Sequence, residues 1–122
     1  VHDGGYDLTL EALHRTDGRL AELWGRIQAD PEYRDHTTLV VTVDHGRGRT
    51  SKDWTSHGAD VAGADEMWLG CFGAGVGARG ELRGHAPIEQ RQVAATLAAA
   101  VGQNFQAAVP AAAPPIAMCQ SR

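Results

Sequence analysis

Residues 37–46 read TTLVVTVDHG. Residues 37–43 form a β-branched run with no polar alternation beyond threonine. Such a run suits a strand buried on both faces, as in a parallel or mixed sheet covered by helices. It stops at Asp44, His45 and Gly46. Neighbouring side chains of a regular strand point to opposite faces, so Asp44 and His45 reach one ion only if the chain leaves strand geometry there. Gly46 permits that turn. In open α/β sheets, ligands bind outside the carboxyl ends of strands, which is where this acid–histidine pair falls.

The flanking segments supply the remaining elements. Upstream, Tyr6, Leu10, Leu13, Leu20, Leu23, Trp24 and Ile27 recur at helical spacing, while Glu11, Arg15, Asp17, Arg19 and Glu22 lie largely elsewhere. This predicts one amphipathic helix over 6–29 whose apolar stripe packs into a core. Gly4 and Gly5 precede it and Pro31 ends it. Downstream, residues 67–72 read as a second strand, despite Gly70 inside it. Residues 47–65 form a long polar loop, of a length that is usually functional or disordered. Residues 73–84 are a glycine-rich connection in which no strand–GxGxxG–helix register fits. Residues 87–101 predict a second helix, with Pro87 in its first turn, Val93, Leu97 and Val101 on its apolar face, and Gly102 at its end. The Ala- and Pro-rich tail, 106–122, is expected to run extended over a surface or fray.

Two strong strands do not complete a sheet. A buried α/β strand such as TTLVVTV needs neighbours on both edges. The missing strands are therefore expected from upstream sequence or from another chain, and residues 1–105 are expected to be the C-terminal part of a larger α/β domain.

Composition bounds the function. The chain has 122 residues, 43% hydrophobic and 21% charged, which fits one globular domain and excludes full-length disorder. A net charge of −4 supplies no global basic field for nucleic acid. No apolar run approaches the roughly 18 residues of a membrane helix. Cys71 and Cys119 form no CxxC, so no disulfide framework is readable. Cys71, in an apolar strand, is expected to be an inert buried thiol and Cys119 an exposed one. No signal peptide is visible after Val1; the compartment stays unassigned, with a lean toward an extracytoplasmic one.

The chemistry concentrates in residues 41–58, VTVDHGRGRTSKDWTSHG. Twelve residues after His45 comes His57, again followed by glycine, and His2 lies just before the first helix. Carboxylate oxygen and neutral imidazole nitrogen are suitable ligands for zinc, manganese or iron. Each piece also has a plain structural reading: Asp44 bonding backbone amides in a turn, and His57 as a surface histidine. Arg47, Arg49 and Lys52 suit a dianionic substrate, arginine binding phosphate oxygens bidentately, but a solvated basic loop is the competing reading. Trp54 either lines a pocket or pins the loop. His14, His36 and His85 lack a paired acid at ligand spacing and read as non-ligands. Asp65 and Glu66 read as a turn or loop face.

The strand-then-DHG pattern, the downstream HG and the following strand resemble the C-terminal half of the alkaline phosphatase superfamily. That group includes sulfatases, nucleotide pyrophosphatases/phosphodiesterases and cofactor-independent phosphoglycerate mutases. HDGGYDLTLEALHRTDGRLAELW, from His2, resembles the segment following that group's DxxxH metal motif. The resemblance implies a three-layer α/β/α domain with a mostly parallel or mixed sheet, of which residues 1–105 would be the C-terminal part. It implies two divalent ions, zinc or manganese, with Asp44 and His45 on one and His57 and His2 on the other. The aspartate of DxxxH, a further acid ligand and the Ser or Thr nucleophile would lie upstream, so no catalytic nucleophile is assigned among these residues; Thr50, Ser51 and Ser56 do not match its position. The implied activity is that of a phosphatase, phosphodiesterase, sulfatase or phosphomutase acting on a small phosphate or sulfate ester, with this chain supplying about half of the ligands and inactive alone. Two rivals stand beside it. One is a non-catalytic module binding a single structural metal; the other is a fragment that folds only against a partner.

Overall fold

The computed structural model describes residues 1–120. The element order is α1 (Tyr6–Ala29), β1 (Thr38–Thr42), β2 (Leu69–Gly73), α2 (Val93–Ala100, preceded by a 3-10 turn at Gln90–Gln92) and α3 (Phe105–Ala108). β1 and β2 pair as a two-stranded antiparallel sheet. Its register is marked by the Thr38 hydroxyl donating to Ala74 O at 2.6 Å and the Thr42 hydroxyl donating to Trp68 O at 2.9 Å. An antiparallel pair fits the edge of a mixed sheet but not a purely parallel one. β1 is half-buried rather than buried on both faces. Among the described residues only β2 neighbours it.

The chain divides into two compact units, residues 1–35 with 40–70, and residues 36–39 with the described residues from 71 to 120. In the first, α1 spans the residues that the apolar period predicts. Gly4 (φ 73°) precedes it, and Asp30 (φ −98°, ψ 117°) ends it just before Pro31. The residue before a proline is pushed out of helical geometry. Glu22–Arg26 and Glu11–Arg15 pair one turn apart along the helix. The expectation that the stripe is core fails within these residues: no residue of α1 is buried, and Tyr6, Leu8, Leu10, Leu13 and Leu23 are exposed. A stripe stays wet when nothing in the same unit covers it.

The second unit has its own small core of Ala95, Thr96, Ile116 and Cys119. The helix predicted from Pro87 begins instead with the turn at Gln90. There Glu89 and Gln92 form a reciprocal capping box that satisfies the first free amides. Gly102 (φ 74°) lies two residues past its end. The face expected to be buried is also displaced. Leu97 and Val101 are exposed, while Ala95 and Thr96 are each 2% exposed. The cause is the C-terminal segment, which packs on that other side. Ile116 N–H donates to the Thr96 hydroxyl at 2.8 Å, and the Gln92 side-chain amide donates to Pro114 O at 3.1 Å. The tail therefore does not fray over 106–120; residues 121 and 122 lie outside the described residues.

Both cysteine expectations are corrected. Cys71 and Cys119 form a disulfide across 48 residues, and Cys119 is buried. Spacing alone could not pair them, because they meet only once the C-terminal segment has returned. Among the described residues, no helix is long and apolar enough to cross a membrane.

Candidate metal centre and adjoining groove

The first unit holds every candidate ligand. β1 ends at Thr42, and the chain turns through Asp44, whose Oδ1 accepts the His45 amide at 3.0 Å. That is the plain turn role, and it occupies one carboxylate oxygen. The other, Oδ2, lies 3.4 Å from His45 Nε2. His45 Nδ1 is 2.8 Å from Gly46 O. A carbonyl only accepts, so Nδ1 is the donor, and in the neutral ring Nε2 is the nitrogen with the lone pair. His85 makes the same one-residue bond to Ala86 O, so this bond is a local habit and the neighbours define the site.

Those neighbours arrive from far along the chain. The His57 ring stacks on His45 with centroids 4.0 Å apart and planes 19° apart. The His2 ring meets His57 at 5.1 Å and 65°. Three histidines and an aspartate from three segments thus lie side by side. Of the other histidines, His14 lies in the same unit and makes no ring contact with this cluster among the described residues, while His36 and His85 belong to the second unit. As the side chains stand, no group of three or more His, Cys, Asp or Glu among the described residues forms a ready cation site. Stacking explains this in part: parallel rings turn faces, not nitrogens, toward each other.

The loop between His45 and His57 is tied down by backbone rather than by regular structure. Gly46 N–H donates to Ala64 O at 2.8 Å, and Gly48 N–H donates to Ser56 O at 3.0 Å. Gly46 has no positive φ. Its requirement is space: a β-carbon there would fall on the carbonyl oxygens of Gly63 and Glu66, and one on Gly48 would fall on that of Asp53. The Asp53 carboxylate accepts from both the hydroxyl and the amide of Thr50, each at 2.7 Å. These bonds hold its carboxyl below the usual aspartate range.

The three basic residues have different surroundings. Arg47 Nη1 donates to Thr55 O at 3.3 Å and braces the loop. Arg49 pairs through two nitrogens with the Glu66 carboxylate, Nε lying 3.1 Å from Oε2. The pair is solvent-exposed, and Glu66 holds the Arg49 guanidinium above its ordinary value. Lys52 is exposed. The Glu66 partnership was not legible in the sequence; the two residues are 17 apart.

Trp54 both pins the loop and lines a groove. Its ring meets Tyr6 of α1 edge-to-face at 5.3 Å and 84°. The two aromatics, with Gly4, Gly48, Arg49, Thr50 and Ser51, line an open groove of about 440 Å³. Tyr6 reads in the sequence as one more member of the helical stripe, and nothing in the periodicity marks it as part of a site. No family model, no curated protein and no solved structure matches this chain.

Proposed function

We propose that this chain is part of a metal-dependent hydrolase or phosphotransferase acting on phosphate or sulfate esters through a two-metal site, with His2, Asp44, His45 and His57 as its share of the ligands. The reading joins the alkaline phosphatase resemblance to one observation, the convergence of these four side chains from three separated segments. The donor chemistry suits zinc or manganese. The 3.4 Å between Asp44 Oδ2 and His45 Nε2 matches the edge of a tetrahedral site, about 3.4 Å for bonds of about 2.1 Å. A cation held there would be ligated by the carboxylate and by Nε2 of the neutral ring.

Ring orientation favours two ions over one. In-plane lone pairs of rings 19° apart do not meet at one point, so His45 and His57 suit separate ions. His2, inclined 65° to His57, is able to share an ion with it. Asp44, 84% exposed, does not suit the closed cage of a structural zinc site. Bound divalent ions supply Lewis acidity to the attacking and leaving oxygens of an in-line displacement.

The chain's own residues orient and bind. The Gly46 carbonyl fixes the His45 tautomer so that Nε2 is the ligating nitrogen. Arg47 and Lys52 bring positive charge to a dianionic ester. Arg49 joins them only by exchanging Glu66 for the substrate. The nucleophile and the remaining acid ligands belong to an N-terminal half of the domain or a partner chain. The exposed stripe of α1 and the second edge of β1 are surfaces that such a half would cover. The Cys71–Cys119 disulfide supports an oxidising, extracytoplasmic compartment.

Zinc titration followed by histidine ring NMR tests the site. His2, His45 and His57 are expected to shift while His14, His36 and His85 stay still. His57→Ala is expected to remove the His2 response and spare that of His45. Equal shifts at all six histidines, or none at the three, would overturn the assignment; loss of all responses together in the variant would favour a single ion.

A further inference from the structure

We infer that the groove bordered by Tyr6 and Trp54 receives the aromatic alcohol portion of the ester, so that the preferred substrates are aryl monoesters. This rests on the two-metal reading and adds the class of alcohol to it.

The groove's size falls within the roughly 300–1,000 Å³ of small-molecule sites. Its position follows from chain connectivity. Gly4 and Tyr6 lie just after His2, Gly48 three residues after His45, and Trp54 three residues before His57. The segments that carry the candidate ligands therefore continue into the groove walls. An ester with its phosphoryl or sulfuryl group at the ligand cluster would thus have these residues within two to four positions along the chain from its metal ligands.

The wall chemistry selects the alcohol. Arg49 pairs its guanidinium with the Glu66 carboxylate, so its charge is already matched beside the groove. The Thr50 hydroxyl donates to Asp53 and accepts from the Lys52 amide. What remains for recognition is the aromatic surface of Tyr6 and Trp54, with the Ser51 hydroxyl at the border. Trp54 is half-buried and already packed at one side by Tyr6, so a stacking partner meets a ring whose orientation is held. Aromatic rings favour offset-stacked or edge-to-face partners beyond what area alone supplies.

The test compares phenyl phosphate, cyclohexyl phosphate and inorganic phosphate by NMR titration of the whole chain, first with chelator and then with zinc. Phenyl phosphate is expected to bind about fivefold more tightly than cyclohexyl phosphate, the size of one aromatic contact. Its ring protons are expected to give nuclear Overhauser contacts to Trp54 and Tyr6. Trp54→Ala should bring the phenyl-to-cyclohexyl ratio to about one, and Trp54→Phe should keep most of it. Equal affinities in the wild type, a ratio that survives Trp54→Ala, or contacts on Trp24 or Trp68 instead would overturn the proposal. If Trp54→Ala does not fold, the wild-type contacts and Trp54→Phe decide. The two readings fail separately: an aryl preference under chelator without histidine shifts in zinc removes the metal centre alone, and the reverse result removes the groove alone.

Discussion

Replacing Thr96 by valine tests how the C-terminal segment is held to α2. The Thr96 side chain is 2% exposed, and so is Ile116, whose amide donates to its hydroxyl at 2.8 Å. The same hydroxyl donates to Gln92 O at 2.8 Å. Valine keeps the shape and nearly the same helix propensity. It leaves the buried Ile116 amide without a partner, at a cost of about 1–3 kcal/mol. Against that stands one more buried methyl, which contributes about 0.8 kcal/mol. The expected net loss is about 0.2–2 kcal/mol. Serine is the control, because it keeps both hydrogen bonds and loses only a methyl, at about 1 kcal/mol. Urea denaturation reads the stabilities, and hydrogen exchange reads the Ile116 amide. Exchange at Ile116 should accelerate in Thr96→Val and hold in Thr96→Ser. A valine variant as stable as the wild type, with a slow Ile116 amide, would refute the reasoning.

Removing the disulfide by the double change Cys71→Ser, Cys119→Ser should cost about 4 kcal/mol on loop-closure grounds, given the 48-residue separation. The check is a denaturation midpoint with and without reductant, and insensitivity to reductant would contradict the pairing. Gly46→Ala should cost about 2 kcal/mol or more, because the added carbon collides with two backbone carbonyls. It should also weaken the zinc response of His45 and His57, and a variant with wild-type stability and response would show that the close approach is dispensable. The Asp53 carboxyl is held low chiefly by the Thr50 hydroxyl and then by the Thr50 amide. A depressed folded value means that the turn's stabilisation is complete above the ordinary unfolded value of about 3.9 and is lost as pH falls through the folded one. The Thr50 amide resonance should be constant from about pH 7 to pH 5 and move only below about pH 4; movement near neutrality would refute this.

Legibility follows the range of the forces involved. The long helix is predicted at both ends because its signals are local: a 3.6-residue apolar period, glycine before it and proline after it. β1 follows equally from a β-branched run, lying one residue inside the predicted span at each end. α2 is less readable, since a reciprocal cap between Glu89 and Gln92 starts it and Pro87 does not. Its buried face was misread because Val93, Leu97 and Val101 carry the hydrophobic signal, while the small surfaces of Ala95 and Thr96 admit the returning chain. The α1 stripe is a true helical period with no cover in its own unit, and periodicity reports a face without reporting what meets it.

At the site, Asp44, His45, His57 and His2 stand out by residue type and by glycine neighbours, and the sequence determines them as candidates together with the ends of the elements that carry them. Their meeting, the stack of His57 on His45, the Tyr6–Trp54 contact, the capture of Arg49 by Glu66 and the closure of Cys71 on Cys119 were decided by tertiary structure alone. The reason is physical. Propensity and turn chemistry act over a few residues, whereas these contacts depend on a loop without regular structure folding back on itself, through backbone bonds and a close approach at Gly46 and Gly48 that no local pattern encodes.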